Sequence, residues 1–157
     1  MRRLIDTHGG RMSPHLVSLM RQSWTAERFT DANIAPKAVV NRMARLMSSY
    51  DLFVTPTTAV PPFPVDIQGP ERIDGRMVSP TAWTGFTLAA NLTGQPSISV
   101  PAGWTCEGLP VGLQITGRHL ADADVLRAAA AFERAAPWAH RWPADPPSPP
   151  TTAPSGL

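Results

Sequence analysis

Apolar positions recur at helical spacing over residues 13–24, where Leu16, Leu19, Met20 and Trp24 mark one face to be buried. Ser13 suits the cap of that helix and Pro14 its first turn. A second helix is predicted over about 26–49, with an irregularity at Pro36. Its stripe is Val39, Val40, Met43, Leu46 and Met47, with Lys37, Asn41, Arg42 and Arg45 mostly opposite. Leu52-Phe53-Val54 is a short continuous apolar run and reads as a buried strand. Residues 56–80 are rich in proline and read as one long loop. Ser79-Pro80 restarts a helix, Trp83, Phe86 and Ala90 give it a face, and Gly94 ends it. Ser97–Val100 and Val111–Thr116 alternate apolar and polar residues, as strands covered on one face do. The turn residues from Thr105 to Pro110 join them into a β-hairpin. A last helix is predicted from Asp122, as N-cap, to about Ala136, with Val125, Ala129 and Phe132 in contact.

Composition narrows the partners. The chain has 157 residues, the size of one domain, and 43% are hydrophobic, enough for a core. The net charge is +2, and Arg2, Arg3 and Arg11 have no aromatic residues between them, so no nucleic-acid partner is expected. The single cysteine, Cys106, makes no internal disulfide and favours a reducing compartment. The basic start lacks the apolar stretch of a signal peptide, and no run approaches the ~18 apolar residues of a membrane span. A cytoplasmic protein without a membrane partner is expected. The tail from Pro143 holds six prolines in fifteen residues and is expected to be disordered or polyproline II.

Candidate chemistry is sparse. There is no Gly-x-Ser-x-Gly elbow, no phosphate-binding glycine loop and no His-Glu-x-x-His. His8, His15, His119 and His140 are not spaced as metal ligands. Cys106 stands beside the anion of Glu107, which works against a reactive thiolate. Ser97 and Ser99 are explained by the outer face of a strand, and Lys37 by the solvated side of a helix. Asp122 and Asp124 suit a helix start, and Met43 and Met47 suit a core. Neither a metal nor a cofactor is expected.

Three stretches carry a resemblance. Asp51–Thr57, DLFVTPT, is similar to the YDLLLTPT segment of amidase-signature enzymes. Asn91–Pro101, NLTGQPSISVP, resembles that family's NLTGQPAISVP, and Gly108–Arg118, GLPVGLQITGR, resembles its GLPVGLQIVG. The helix from Asp122 to Phe132 is similar to the family's closing one, and order and spacing agree. The resemblance runs over residues 13–138, leaving residues 1–12 as an N-terminal segment and 139–157 as a proline-rich tail.

The resemblance implies the C-terminal portion of an α/β/α sandwich that hydrolyses amides. The family's Ser–cis-Ser–Lys triad lies in earlier parts of the full enzyme. No Gly-Ser-Ser-Gly segment occurs here and Lys37 does not match the family's lysine, so no catalytic residue carries over. The portion present would add strands to the sheet and wall the substrate pocket, with Trp83, Thr84 and Phe86 as substrate-binding candidates. Thr84 falls where glutamyl-tRNA amidotransferase A subunits, a related branch, carry an Asp, which implies an apolar or neutral substrate side. The alternative for Trp83 and Phe86 is a purely core role. Three readings follow: an amidase end inactive alone, a subunit that joins an N-terminal amidase half, and an interaction module using Pro-Pro-Ser-Pro-Pro in the tail.

Overall fold

A computed structural model describes residues 2–142, in two compact units that divide between Arg45 and Leu46. The first unit is helical. It holds α1 (Arg2–His8), a 3-10 turn at Gly9–Arg11, α2 (Pro14–Arg21) and most of α3 (Ala26–Met47). Ser13 caps α2 as expected, its Oγ accepting the Leu16 N–H at 3.2 Å, with Pro14 in the first turn. Thr25 does the same for α3, accepting from the Arg28 N–H at 3.2 Å. Pro36 lies inside α3 without ending it. The expected buried face over 13–24 is not formed. Leu16, Leu19 and Trp24 are 41%, 43% and 53% exposed, and Trp24 lies beyond the end of α2. Met20 alone of the four is half-buried, and the Arg28 guanidinium lies 5.0 Å from the Trp24 ring centre; helical spacing marks an apolar face, and burial needs a fuller partner surface.

The second unit carries the sheet. Its strands are β1 (Leu52–Pro56), β4 (Ser97–Trp104) and β5 (Pro110–Gly117), in the order β1-β5-β4, all antiparallel. The expected hairpin is present as β4 and β5. Its turn is closed by the Thr105 N–H on the Leu109 carbonyl at 2.8 Å and by the Thr105 hydroxyl accepting the Leu109 N–H at 3.1 Å. A register shift between Pro101 and Gly103 marks a bulge in β4. Val54, expected to be buried, is 50% exposed, because β1 is an edge strand paired only with β5.

The register separates two faces. Ile98 pairs with Ile115 and Val100 with Leu113, and this apolar face meets α5 (Asp122–Ala135). Val100, Ile115 and Ala129 form the buried cluster, packed by Leu52, Ile98, Leu113, Ala128 and Phe132. Fully burying a side chain such as Ile115 stabilises by about 1.5–3 kcal/mol. The other face holds Ser97 opposite Thr116 and Ser99 opposite Gln114. The alternation predicts strands covered on one face only, but Gln114 and Thr116 are just 4% and 1% exposed. The reason is topological: β5 is the central strand, and α4 (Gly85–Thr93) is tied onto its second face. With α4 on one side and α5 on the other, the unit has an α/β arrangement.

Three boundaries differ from expectation. Residues 56–80 are not featureless, for they contain a small hairpin of β2 (Arg72–Ile73) and β3 (Arg76–Met77). Its turn is Asp74-Gly75, with φ of 49° and 72°, a conformation that glycine adopts without cost. The helix expected from Ser79-Pro80 begins later, as a 3-10 turn at Ala82–Thr84 followed by α4. There the Trp83 carbonyl accepts the Ala59 N–H at 3.0 Å, a loop partner in place of a helical one. The last helix starts at Asp122 itself, with Ala121 as its uncapped N-cap residue. Asp122 and Asp124 lie in its first turn, where carboxylates meet the positive end of the dipole, and Asp124 pairs with Arg127. A 3-10 turn at Ala139–Arg141 follows; the proline-rich tail from Pro143 lies outside the described residues.

Candidate functional site

The polar face of the sheet carries two hydrogen-bonded groups built from hydroxyls and one amide. The Thr57 and Ser99 hydroxyls are 2.6 Å apart. Ser97 Oγ lies 2.9 Å from Thr116 Oγ1, and Gln114 Nε2 donates to Thr116 Oγ1 at 3.4 Å. Gln114 Nε2 also donates to the Phe86 carbonyl at 3.2 Å, which fixes the first turn of α4 over β5. Thr55, opposite Gln114, has a buried hydroxyl without a partner among the described residues. None of these four bonds involves a lysine, a histidine or a carboxylate. The hydroxyls are held in place and are not activated as nucleophiles.

Above the end of this face lies a cleft of about 330 Å³ lined by Pro56, Thr58, Ala59, Val60, Pro61, Phe86, Pro110 and Val111. Its walls come from the end of β1, the loop after it, the start of α4 and the start of β5. The lining is apolar apart from Thr58, whose hydroxyl donates to the Val60 carbonyl at 2.8 Å.

Of the three residues singled out from the sequence, Phe86 lines this cleft and is 37% exposed. Trp83 and Thr84 are half-buried beside it but are not among its lining residues. Trp83 holds the proline-rich loop. Its Nε1 donates to the Gln68 carbonyl at 3.0 Å, and its ring meets Phe63 edge-on at 5.3 Å between centroids. Thr84 closes its own turn, its hydroxyl donating to the Thr81 carbonyl at 2.8 Å. Thr55, Thr57 and Gln114 were not singled out. The signal for them was the period-two run of polar residues on all three strands, which sequence reasoning assigns to solvent.

Cys106 is exposed and lines a neighbouring surface depression with Glu107, Phe63, Pro61 and Val60. Among the described residues, no group of three or more His, Cys, Asp or Glu side chains is gathered as a metal site. Nor is any helix among them long and apolar enough to cross a membrane.

Comparison with known proteins fits this geometry. The family model described as Amidase matches residues 10–126. An acylamidase from Rhodococcus erythropolis is 37% identical over 147 residues, which cover 89% of this chain and 30% of that enzyme. A fatty acid amide hydrolase from Medicago truncatula is 35% identical over 113 residues, covering 72% of this chain and 19% of that protein. Among solved structures, a bacterial aryl acylamidase of the amidase-signature family superimposes with a TM-score of 0.76 at 32% identity, over 87% of this chain and 29% of that one. A 6-aminohexanoate cyclic dimer hydrolase gives 0.65 at 27% identity, over 76% of this chain and 26% of that one. The chain thus spans about a third or less of the length of the relatives it matches. On the match over residues 10–126, and with the sheet and its helices agreeing, the chain belongs to the amidase-signature family.

Proposed function

We propose that this chain forms part of the central sheet and one wall of the substrate pocket in an enzyme that hydrolyses amide C–N bonds, and is inactive alone. The observation that carries the reading is the apolar cleft beside Phe86, whose one hydroxyl, on Thr58, is spent on the Val60 carbonyl. Such a cleft accommodates the apolar side of an amide. It offers no base to activate a nucleophile. The nucleophile and base then come from an N-terminal amidase half, in the same polypeptide or in a separate one.

In this reading Phe86 contacts the substrate. Trp83 and Thr84 act behind it, the first by fixing the loop that bears Ala59 and the second by closing the turn that leads into α4. The substrate side facing this wall is apolar, and the amide belongs to the acyl or aryl class. The exposed, free thiol of Cys106 fits a reducing compartment, and we place the protein in the cytoplasm.

Co-expression of the chain with an N-terminal amidase half tests this. Phe86→Ala should raise KM for aryl and long acyl amides in the assembled enzyme while leaving acetamide turnover nearly unchanged. Equal losses on both substrates would remove Phe86 from the pocket wall.

A further inference from the structure

The second unit has another cavity, of about 290 Å³, which shares Pro110 with the cleft beside Phe86. It is lined by Pro101, Trp104, Pro110, Trp138, Arg141 and Trp142, with Gly108 at the hairpin turn. Three of the chain's five tryptophans gather here. Trp138 and Trp142 are stacked, with centroids 6.0 Å apart and planes 26° from parallel. The Arg141 guanidinium lies over the Trp104 ring at 4.0 Å. A guanidinium that stacks on an aromatic ring keeps its edge N–H donors available. No carboxylate lines the cavity, and among the described residues Arg141 makes no ion pair. The Trp138 indole N–H is buried and has no acceptor among the described residues. A buried donor left without an acceptor is destabilising.

Aromatic walls, a cation without an ion-pair partner and a buried donor without an acceptor, both among the described residues, select a ligand with a flat apolar body and one negative charge. We propose that this cavity binds a small aromatic carboxylate. The ring lies among the indoles, where aromatic contact adds to burial. The carboxylate accepts from the guanidinium edge, a charge-assisted hydrogen bond. Its second oxygen supplies an acceptor for the Trp138 indole N–H, which has none among the described residues.

The test is a titration of the full chain, labelled with ¹⁵N at tryptophan, with phenylacetate and with its neutral counterpart phenylacetamide. Phenylacetate should shift the indole N–H signals of Trp104, Trp138 and Trp142 and leave those of Trp24 and Trp83 in place. Phenylacetamide should bind about tenfold more weakly, as should phenylacetate to Arg141→Gln. Arg141 is exposed on a short turn, so this variant keeps the fold. Equal binding of the two probes, equal affinity of the Arg141→Gln chain, or shifts confined to Trp24 and Trp83 would overturn the proposal.

Discussion

Thr57 and Ser99, 42 residues apart, share a hydrogen bond of 2.6 Å that passes over Gly112 of the strand between them. A Cβ on Gly112 would stand 2.6 Å from Thr57 Oγ1 and 2.8 Å from Ser99 Oγ. Glycine is therefore required by close approach. Gly112→Ala should destabilise the second unit by about 1–3 kcal/mol, read from a denaturant midpoint. Adding Ser99→Ala removes one of the two crowding oxygens and should recover part of the loss. A double variant as unstable as the sum of its parts would contradict the crowding account.

Gln114 is the link between α4 and the sheet. Replacing it by Met keeps the volume and removes the donor. The Phe86 carbonyl and the Thr116 hydroxyl then lose their Nε2 partner at a site where Gln114 is 4% exposed. The expected cost is about 1–3 kcal/mol, with faster amide exchange in α4 than in α5. Uniform exchange across both helices would show that Gln114 does not anchor α4.

Arg118 ends β5 by gripping the close of α3. Its Nε donates to the Met47 carbonyl at 3.0 Å, and its Nη2 is 3.0 Å from Asp51 Oδ1. The ion pair is exposed, 51% and 87% at the two side chains, so Asp51→Asn should change stability by less than about 0.5 kcal/mol. Arg118→Ala also frees a helix-terminal carbonyl and should cost about 1 kcal/mol. Thermal melts that rank the two variants the other way would assign the effect to the charge pair.

Trp83→Phe keeps the ring contact with Phe63 and deletes the bond to the Gln68 carbonyl. The loop it restrains should loosen. Amide exchange at Ala59, which donates to the Trp83 carbonyl, should quicken. Exchange at Thr57, whose N–H donates to the Gly112 carbonyl at 2.8 Å, should hold. No change at Ala59 would free Trp83 from its role behind the cleft.

Much of the fold was legible because its signals are local. Ser13 and Pro14 mark a helix start, Gly94 with φ of 66° marks an end, and the turn at Gly108 joins two alternating strands. The parts misread depend on what lies elsewhere in the chain. Gln114 and Thr116 look solvent-facing until α4 covers them, and Leu16 and Leu19 look buried by their spacing although they stay 41% and 43% exposed. The hairpin at Asp74-Gly75 was readable from its turn dipeptide, but the surrounding prolines hid it. At the candidate site, sequence similarity pointed to Trp83, Thr84 and Phe86 alike. Only the three-dimensional arrangement separates Phe86, which lines the cleft, from Trp83, whose indole is already bound to the loop.

With no base beside its hydroxyls, this chain is expected to supply structure and a pocket wall and to leave cleavage of the amide to an N-terminal half. Release of ammonia or amine from a panel of aliphatic and aromatic amides tests it most directly, first with the purified chain and then with the chain plus an N-terminal amidase half. The chain alone should release nothing, and the mixture should release product. Turnover by the chain alone, above a heat-denatured control, would contradict it and require a nucleophile among residues whose hydroxyls are here bound to one another.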